Sequence, residues 1–180
     1  MITQTEKYQM TIVPDDYAES PREWDNLCTI AAFHKRYNIG DNDIDINYKD
    51  FNSWDEMEKH ILKKDVLFCL PVYMYDHGGI SISTTPFSCK WDSGQVGFIF
   101  VEKSKVRYEY SVKKITKELK EKVMEIALDE IETLNQYLSG DVWTVVIEDE
   151  SGDMVFCSGF YGYENAKQSG IETLNNLYNK

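Results

Sequence analysis

The segment TKELKEKVMEIALDEIETLNQYLSG, residues 116 to 140, constrains the fold more than any other part of the chain. Leu119, Val123, Ile126, Ala127, Ile131, Leu134 and Leu138 recur at spacings of three and four, which on a helix of 3.6 residues per turn forms one apolar stripe. Gly140 follows as a C-terminal stop, because glycine accepts the left-handed backbone that ends many helices. Such a stripe needs an apolar surface to lie on, and the rest of the sequence supplies strands for it. KYQMTIVP (7 to 14), LCTIAAFHKRY (27 to 37), VLFCLPVYMY (66 to 75), GISIS and GQVGFIFVEKS read as strands. Pro71 marks a sheet edge, a bulge or a strand end, since proline cannot donate to a ladder. VWTVVIEDE and MVFCSGFYG flank SGD, a hairpin with glycine in its turn. Ser53 and Glu56 make a capping box for a helix over about 54 to 64, with Trp54, Met57 and Ile61 on its buried face. ENAKQSGIETLNNLY predicts a second amphipathic helix, weakened by Gly170. The reading is a single α+β domain over residues 1 to 180: a mostly antiparallel sheet with one long and two shorter helices.

Charge limits the partners. The chain carries 31 acidic and 19 basic residues, a formal net charge of −12. Nucleic-acid backbones are bound by lysine and arginine neutralising phosphates, so the chain is a poor candidate for direct nucleic-acid binding over its whole surface. Residues 123 to 166 hold ten acids and no Lys or Arg, and a second acidic run covers Asp41, Asp43, Asp45, Asp50, Asp55, Glu56 and Glu58. Residues 103 to 122, by contrast, carry eight Lys and Arg. The basic start and acidic middle of the long helix oppose its dipole. A basic protein surface is the expected partner, met through Glu125, Asp129, Glu130, Glu132, Asp141, Glu148, Asp149, Glu150 and Asp153. Tyr161 and Tyr163, beside that segment, are candidate interface anchors.

The start MITQTEKYQM lacks the basic and apolar regions of a signal peptide, and no run approaches the ~18 apolar residues of a membrane span. The expectation is a soluble, cytoplasmic protein. Cys28, Cys69, Cys89 and Cys157 are widely spread and read as free thiols. Two loops collect ligand-type residues: PREWDNLCTIAAFHKRYNIGD with Glu23, Asp25, His34 and Asp41, and YDHGG with SCKWDSG, offering Asp76, His77, Cys89 and Asp92. Imidazole with carboxylate suits a transition metal, and Asp25, His34, Asp76 and His77 are the candidate ligands, with zinc as the ion. No fixed-spacing metal motif is present. The DHGG run also reads as a tight turn, its glycines permitting positive φ. Cys89 or Ser88 with His77 as base would be a nucleophile arrangement, without a third orienting group. GxGxxG and GxxxxGK[ST] are absent from the sequence.

Three blocks, SPREWDNLCTIAAFHKRYNIGD, LPVYMYDHGGISISTTPFSCKWDSGQVGFIFV and LNQYLSGDVWTVVIEDESGD, resemble a family of small acidic proteins carried by phages and mobile elements of Firmicutes and gut bacteria. The resemblance covers most of residues 20 to 162. Asp25, His34, Asp41, Asp76, His77 and Asp92 match its pattern, while Cys28 stands where the pattern has glycine. Small acidic proteins of such elements include anti-CRISPR and antirestriction proteins. The resemblance therefore implies an inhibitor of a host defence nuclease, such as a type II CRISPR effector with a basic nucleic-acid channel, acting in the bacterial cytoplasm. It implies no catalysis. The alternative from the loop residues is a metal-dependent hydrolase or nuclease built on the Asp/His cluster.

Overall fold

A computed structural model describes residues 2–4 and 7–178, and the chain divides into two compact units. One comprises Met1–Pro21 and Gln136–Lys180, the other Arg22–Asn135. The class is α+β, as expected, with the antiparallel strands shared between two four-stranded sheets.

The larger unit contains β3 (Thr29–Ala32), α1 (Trp54–Leu62), β4 (Val66–Asp76), β5 (Ile80–Ser83), β6 (Ser93–Glu102), α2 (Lys103–Glu109) and most of α3 (Lys117–Ser139). Its sheet runs β3-β6-β4-β5. The central strand β6 is buried without interruption from Val96 to Val101, the continuous apolar run of a strand covered on both faces. Phe98 and Phe100 pack with Met57 and Ile61 of α1, and Ile99 and Val101 point the other way, also buried. Ser53 caps α1 by accepting from Glu56 N at 3.2 Å; Glu56 reaches past the cap to Asn52 N at 2.9 Å. Pro71 pairs with Phe98, one residue before a register shift between Val72 and Tyr73. There β5, which covers β4 only from Tyr73 to Asp76, leaves the edge open. An edge and a bulge thus coincide, both positions that tolerate a missing N–H.

Two sequence readings change. The expected strand over 27 to 37 stops at Ala32, because the chain folds back beneath itself: Asp41 N donates to Ile30 O at 2.8 Å. A Cβ on Gly40 would lie 2.7 Å from both N and O of Ala32, so only glycine lets that return pass. Residues 103 and 104, read as a strand end, open α2 (Lys103–Glu109) instead; it buries Val106 alone, and two turns of helix with one apolar contact leave no period to detect.

The smaller unit carries β1 (Ile2–Gln4), β2 (Tyr8–Pro14), β7 (Val142–Asp149), β8 (Met154–Tyr161) and α4 (Tyr163–Tyr178), with sheet order β1-β2-β7-β8. Met10, Ile12, Val145 and Ile147 form the face on which Ala166 and Leu174 of α4 pack. Gly170 is where helix and sheet come closest: a Cβ there would meet Met10 Sδ at 2.5 Å and Val145 Cγ1 at 3.1 Å. The residue that lowers helix propensity is the one that lets α4 seat. In the β7–β8 turn, Asp149 accepts from Ser151 Oγ (2.6 Å), Ser151 N (2.8 Å) and Asp153 N (3.0 Å). The Ser151 hydroxyl first, then the Asp153 amide, hold its carboxyl below the ordinary range.

Candidate functional site

Within the larger unit, Arg22 organises the densest polar network. Its Nε and Nη2 donate to the two oxygens of Asp41 at 2.7 and 3.0 Å, a forked pair, and Nη1 donates to Glu130 Oε2 at 2.9 Å. Nη2 also donates to Cys28 O at 2.8 Å. The second oxygen of Glu130 accepts from Leu27 N (2.9 Å) and Cys28 N (3.0 Å), and Asp41 Oδ2 accepts from Ile30 N (3.0 Å). Arg22 is only 7% exposed and Glu130 10%, so this is a nearly buried charge cluster in which hydrogen bonds replace lost water. Burial pulls the guanidinium down, but the bonds and charges of Asp41 and Glu130 outweigh it and leave Arg22 above its usual value. The cluster ties the turn at Pro21–Glu23, the start of β3 and the returning loop at Asp41 to the middle of α3.

Over this cluster opens a cleft of about 640 Å³. Glu23, Asp25, Asp43, Asp45 and Glu102 line it beside Asp41, together with Trp24; the cations are Arg22, Lys64 and Lys105. Arg22 is neutralised beneath, and Lys105 Nζ donates to Asn26 O at 2.6 Å. The cleft therefore presents net negative charge beside an indole that is 45% exposed, a setting suited to a cationic side chain. On the same unit a second groove, lined by Lys103, Arg107, Lys113, Lys114, Lys117 and Lys120, concentrates the opposite charge.

The expected metal ligands each have other neighbours. Asp25 lines the acidic cleft. His34 stacks on Tyr37 with centroids 5.0 Å apart, and its Nδ1 accepts from Arg36 N at 3.4 Å. Asp76 ion-pairs with Arg36. His77 belongs to the β4–β5 turn, where Gly78 takes φ of +71° and His77 N donates to Gly79 O at 3.2 Å. Its Nδ1 lies 3.3 Å from Asp92 Oδ2, and the Cys89 thiol donates to the same carboxylate oxygen at 3.6 Å. Asp92 thus stands between thiol and imidazole, and the direct Cys–His contact of an activated nucleophile is not formed. Among the described residues, no three His, Cys, Asp or Glu group in a way that could hold a metal ion.

The acidic residues divide. Glu125, Asp129 and Glu132 are exposed along α3, and Glu150 and Asp153 are exposed at the β7–β8 turn beside half-buried Glu148 and Asp149. Glu130 and Asp141 serve the fold instead. Glu130 binds Arg22, and Asp141 accepts from the Trp143 indole and from Tyr163 N at 3.2 Å. Sequence carried a signal for Glu130: it lies three residues after Ala127 and four before Leu134, on the apolar stripe itself, where a charge must find a buried partner. No such signal marks Arg22 or Asp41. Tyr161 and Tyr163 are also turned to internal use, the first donating to Glu19 O and the second packing edge-on against Trp143 at 5.1 Å.

All four cysteines are free. Burial first, then Glu130, pushes the Cys28 thiol up to about 12, and burial pushes Cys69 to about 12. Both remain neutral at pH 8, where thiolate is the reacting species. Iodoacetamide at pH 8 is expected to leave Cys28 and Cys69 unmodified in the folded chain and to alkylate both in urea, as read by peptide mass mapping. Rapid modification of Cys28 under native conditions would contradict its buried setting.

Comparison with family models, curated proteins and solved structures found no match. Among the described residues, no helix is long and apolar enough to cross a membrane.

Proposed function

We propose that this chain is a non-enzymatic binding protein of a phage or mobile element that inhibits a host defence nuclease in the bacterial cytoplasm, its acidic surface occupying a basic nucleic-acid groove. The supporting observation is the concentration of charge. The unit made of Met1–Pro21 and Gln136–Lys180 has eleven acidic and three basic residues, −8 of the chain's −12. Its β7–β8 turn projects Glu150 and Asp153 into solvent. Nuclease channels that hold nucleic acid are cationic because they must neutralise phosphates, and a rigid acidic protein competes for the same charges. A type II CRISPR effector is the target class to test first.

The test is retention of the purified effector and inhibition of its DNA cleavage. Affinity is expected to fall at least tenfold between about 0.05 and about 0.5 M salt, since exposed charges are screened over about 10 Å at 0.1 M and far more strongly above it. Glu148→Lys with Glu150→Lys should weaken binding in low salt and flatten the salt dependence. Uninhibited cleavage, or retention indifferent to salt, defeats the proposal. Turnover abolished by chelator and restored by one metal would replace it with the hydrolase reading.

A further inference from the structure

The smaller unit ends its sheet in β8, which pairs with β7 on one side and, among the described residues, with no strand on the other. The direction of its backbone groups follows from the turn. Asp149 N donates to Asp153 O at 3.0 Å, and antiparallel ladders alternate between pairs that exchange hydrogen bonds and pairs that do not. Along the register Glu148↔Met154, Ile147↔Val155, Val146↔Phe156, the bonded pairs fall at Val155 and Cys157. The N–H and C=O of Met154 and Phe156 therefore face the open edge. Their side chains are 51% and 65% exposed.

Exposed edges are ordinarily guarded by lysine, proline, an inward charge or a covering loop, because an unpaired row of amides and carbonyls recruits other strands. MVFCSGFY contains no charge and no proline. Its far end is guarded, since Gly159 N donates to Asp15 Oδ2 at 2.9 Å and the Tyr161 hydroxyl donates to Glu19 O. The stretch from Met154 to Ser158 has no such cover among the described residues. Charge selects what it can accept. Glu148, Glu150 and Asp153 border its turn end, and a second copy of the chain would bring −12 against −12.

We propose that the edge from Met154 to Ser158 takes an extended segment of a basic partner as an added antiparallel strand, apolar side chains alternating along it and Lys or Arg at its C-terminal end beside the acidic turn. This rests on the reading of a basic partner and names the surface and the mode of binding. Main-chain bonds to Met154 and Phe156 supply affinity, and the carboxylates supply orientation.

The test uses an acetylated synthetic peptide of alternating Val and Thr ending in three lysines, and a matched peptide ending in three glutamates. Fluorescence anisotropy reads affinity, and amide hydrogen exchange reads the edge. The lysine peptide is expected to bind at least tenfold more tightly than the glutamate peptide and to protect the Met154 and Phe156 amides. Phe156→Pro removes one outward N–H while leaving every β7 bond in place, and should weaken binding about tenfold; Phe156→Ala, which keeps the N–H, should lose less. The exchange measurement on the unaltered chain stands even if the proline variant folds poorly. Binding that needs Glu148 and Glu150 but neither protects the edge nor responds to Phe156→Pro overturns the inference and leaves the basic-partner reading intact. Failure of the lysine peptide to bind overturns the inference, while salt-dependent retention of the nuclease would still uphold that reading. Equal binding of both peptides defeats the stated occupant, as does a dimer of the chain that Phe156→Pro dissolves.

Discussion

Replacing Glu130 with alanine lowers the unfolding free energy by about 3 to 5 kcal/mol, the cost of breaking a buried ion pair from one side. Three donors lose their acceptor at once: Arg22 Nη1 and the amides of Leu27 and Cys28. The Arg22 charge remains, nearly buried, with the Glu130 carboxylate gone from beside it. The guanidinium cannot escape the cost by deprotonating, since an arginine side chain stays charged in proteins. The control lies on the same helix: Glu125 is exposed, and Glu125→Ala should change stability by no more than about 0.5 kcal/mol. Urea unfolding of both variants, followed by far-UV circular dichroism, decides the matter. Equal small effects would show that Glu130 is a surface charge, available to a partner after all.

Gly97→Ala is the second large effect, expected at about 3 kcal/mol, the upper end of overpacking by one methyl group. Gly97 lies opposite Ala32 in the β3–β6 ladder. An added Cβ would stand 2.0 Å from Ala31 O and 2.5 Å from Ala32 Cα. Both are backbone atoms, so relief requires moving β3 itself, and β3 is tied through Ile30 to Asp41 and Arg22. Three residues earlier in the same strand, a Cβ on Gly94 meets nothing within 4 Å. Gly94→Ala should be neutral or stabilising by up to about 1 kcal/mol through the lower entropy of the unfolded chain. Thermal melts of the pair measure the difference between two chemically identical changes. Similar melting temperatures would mean that β3 does not approach β6 at Gly97 as closely as described.

These cases mark where sequence reasoning held. The long helix was legible because four of its stripe residues, Val123, Ala127, Ile131 and Leu134, are buried along one side. Ser53 caps α1, and Gly152 turns the β7–β8 hairpin with φ of +87°. Each depends on residues a few positions apart, so the pattern and its cause lie in the same short stretch. The turn at His77 was legible for the same reason. The site was legible in part: the loops around Asp25 and Asp41 do line a cleft, while the contacts of Asp76 with Arg36, His34 with Tyr37 and His77 with Asp92 carried no sequence signal.

What the sequence determined by itself was therefore the long helix, α1, α4, most of the strands and the net charge of −12, all properties of neighbouring residues or of composition. Tertiary structure decided which partner each charge meets. Arg22 and Glu130 are 108 positions apart, and Arg36 and Asp76 are 40 apart, so no local period links them. It also decided why Gly97 and Gly170 must be glycine, since the atoms that exclude a side chain come from β3 in one case and from β2 and β7 in the other. An aspartate or a glycine has the same letter whether it faces water or another strand. Its free energy is set by what long-range folding brings against it.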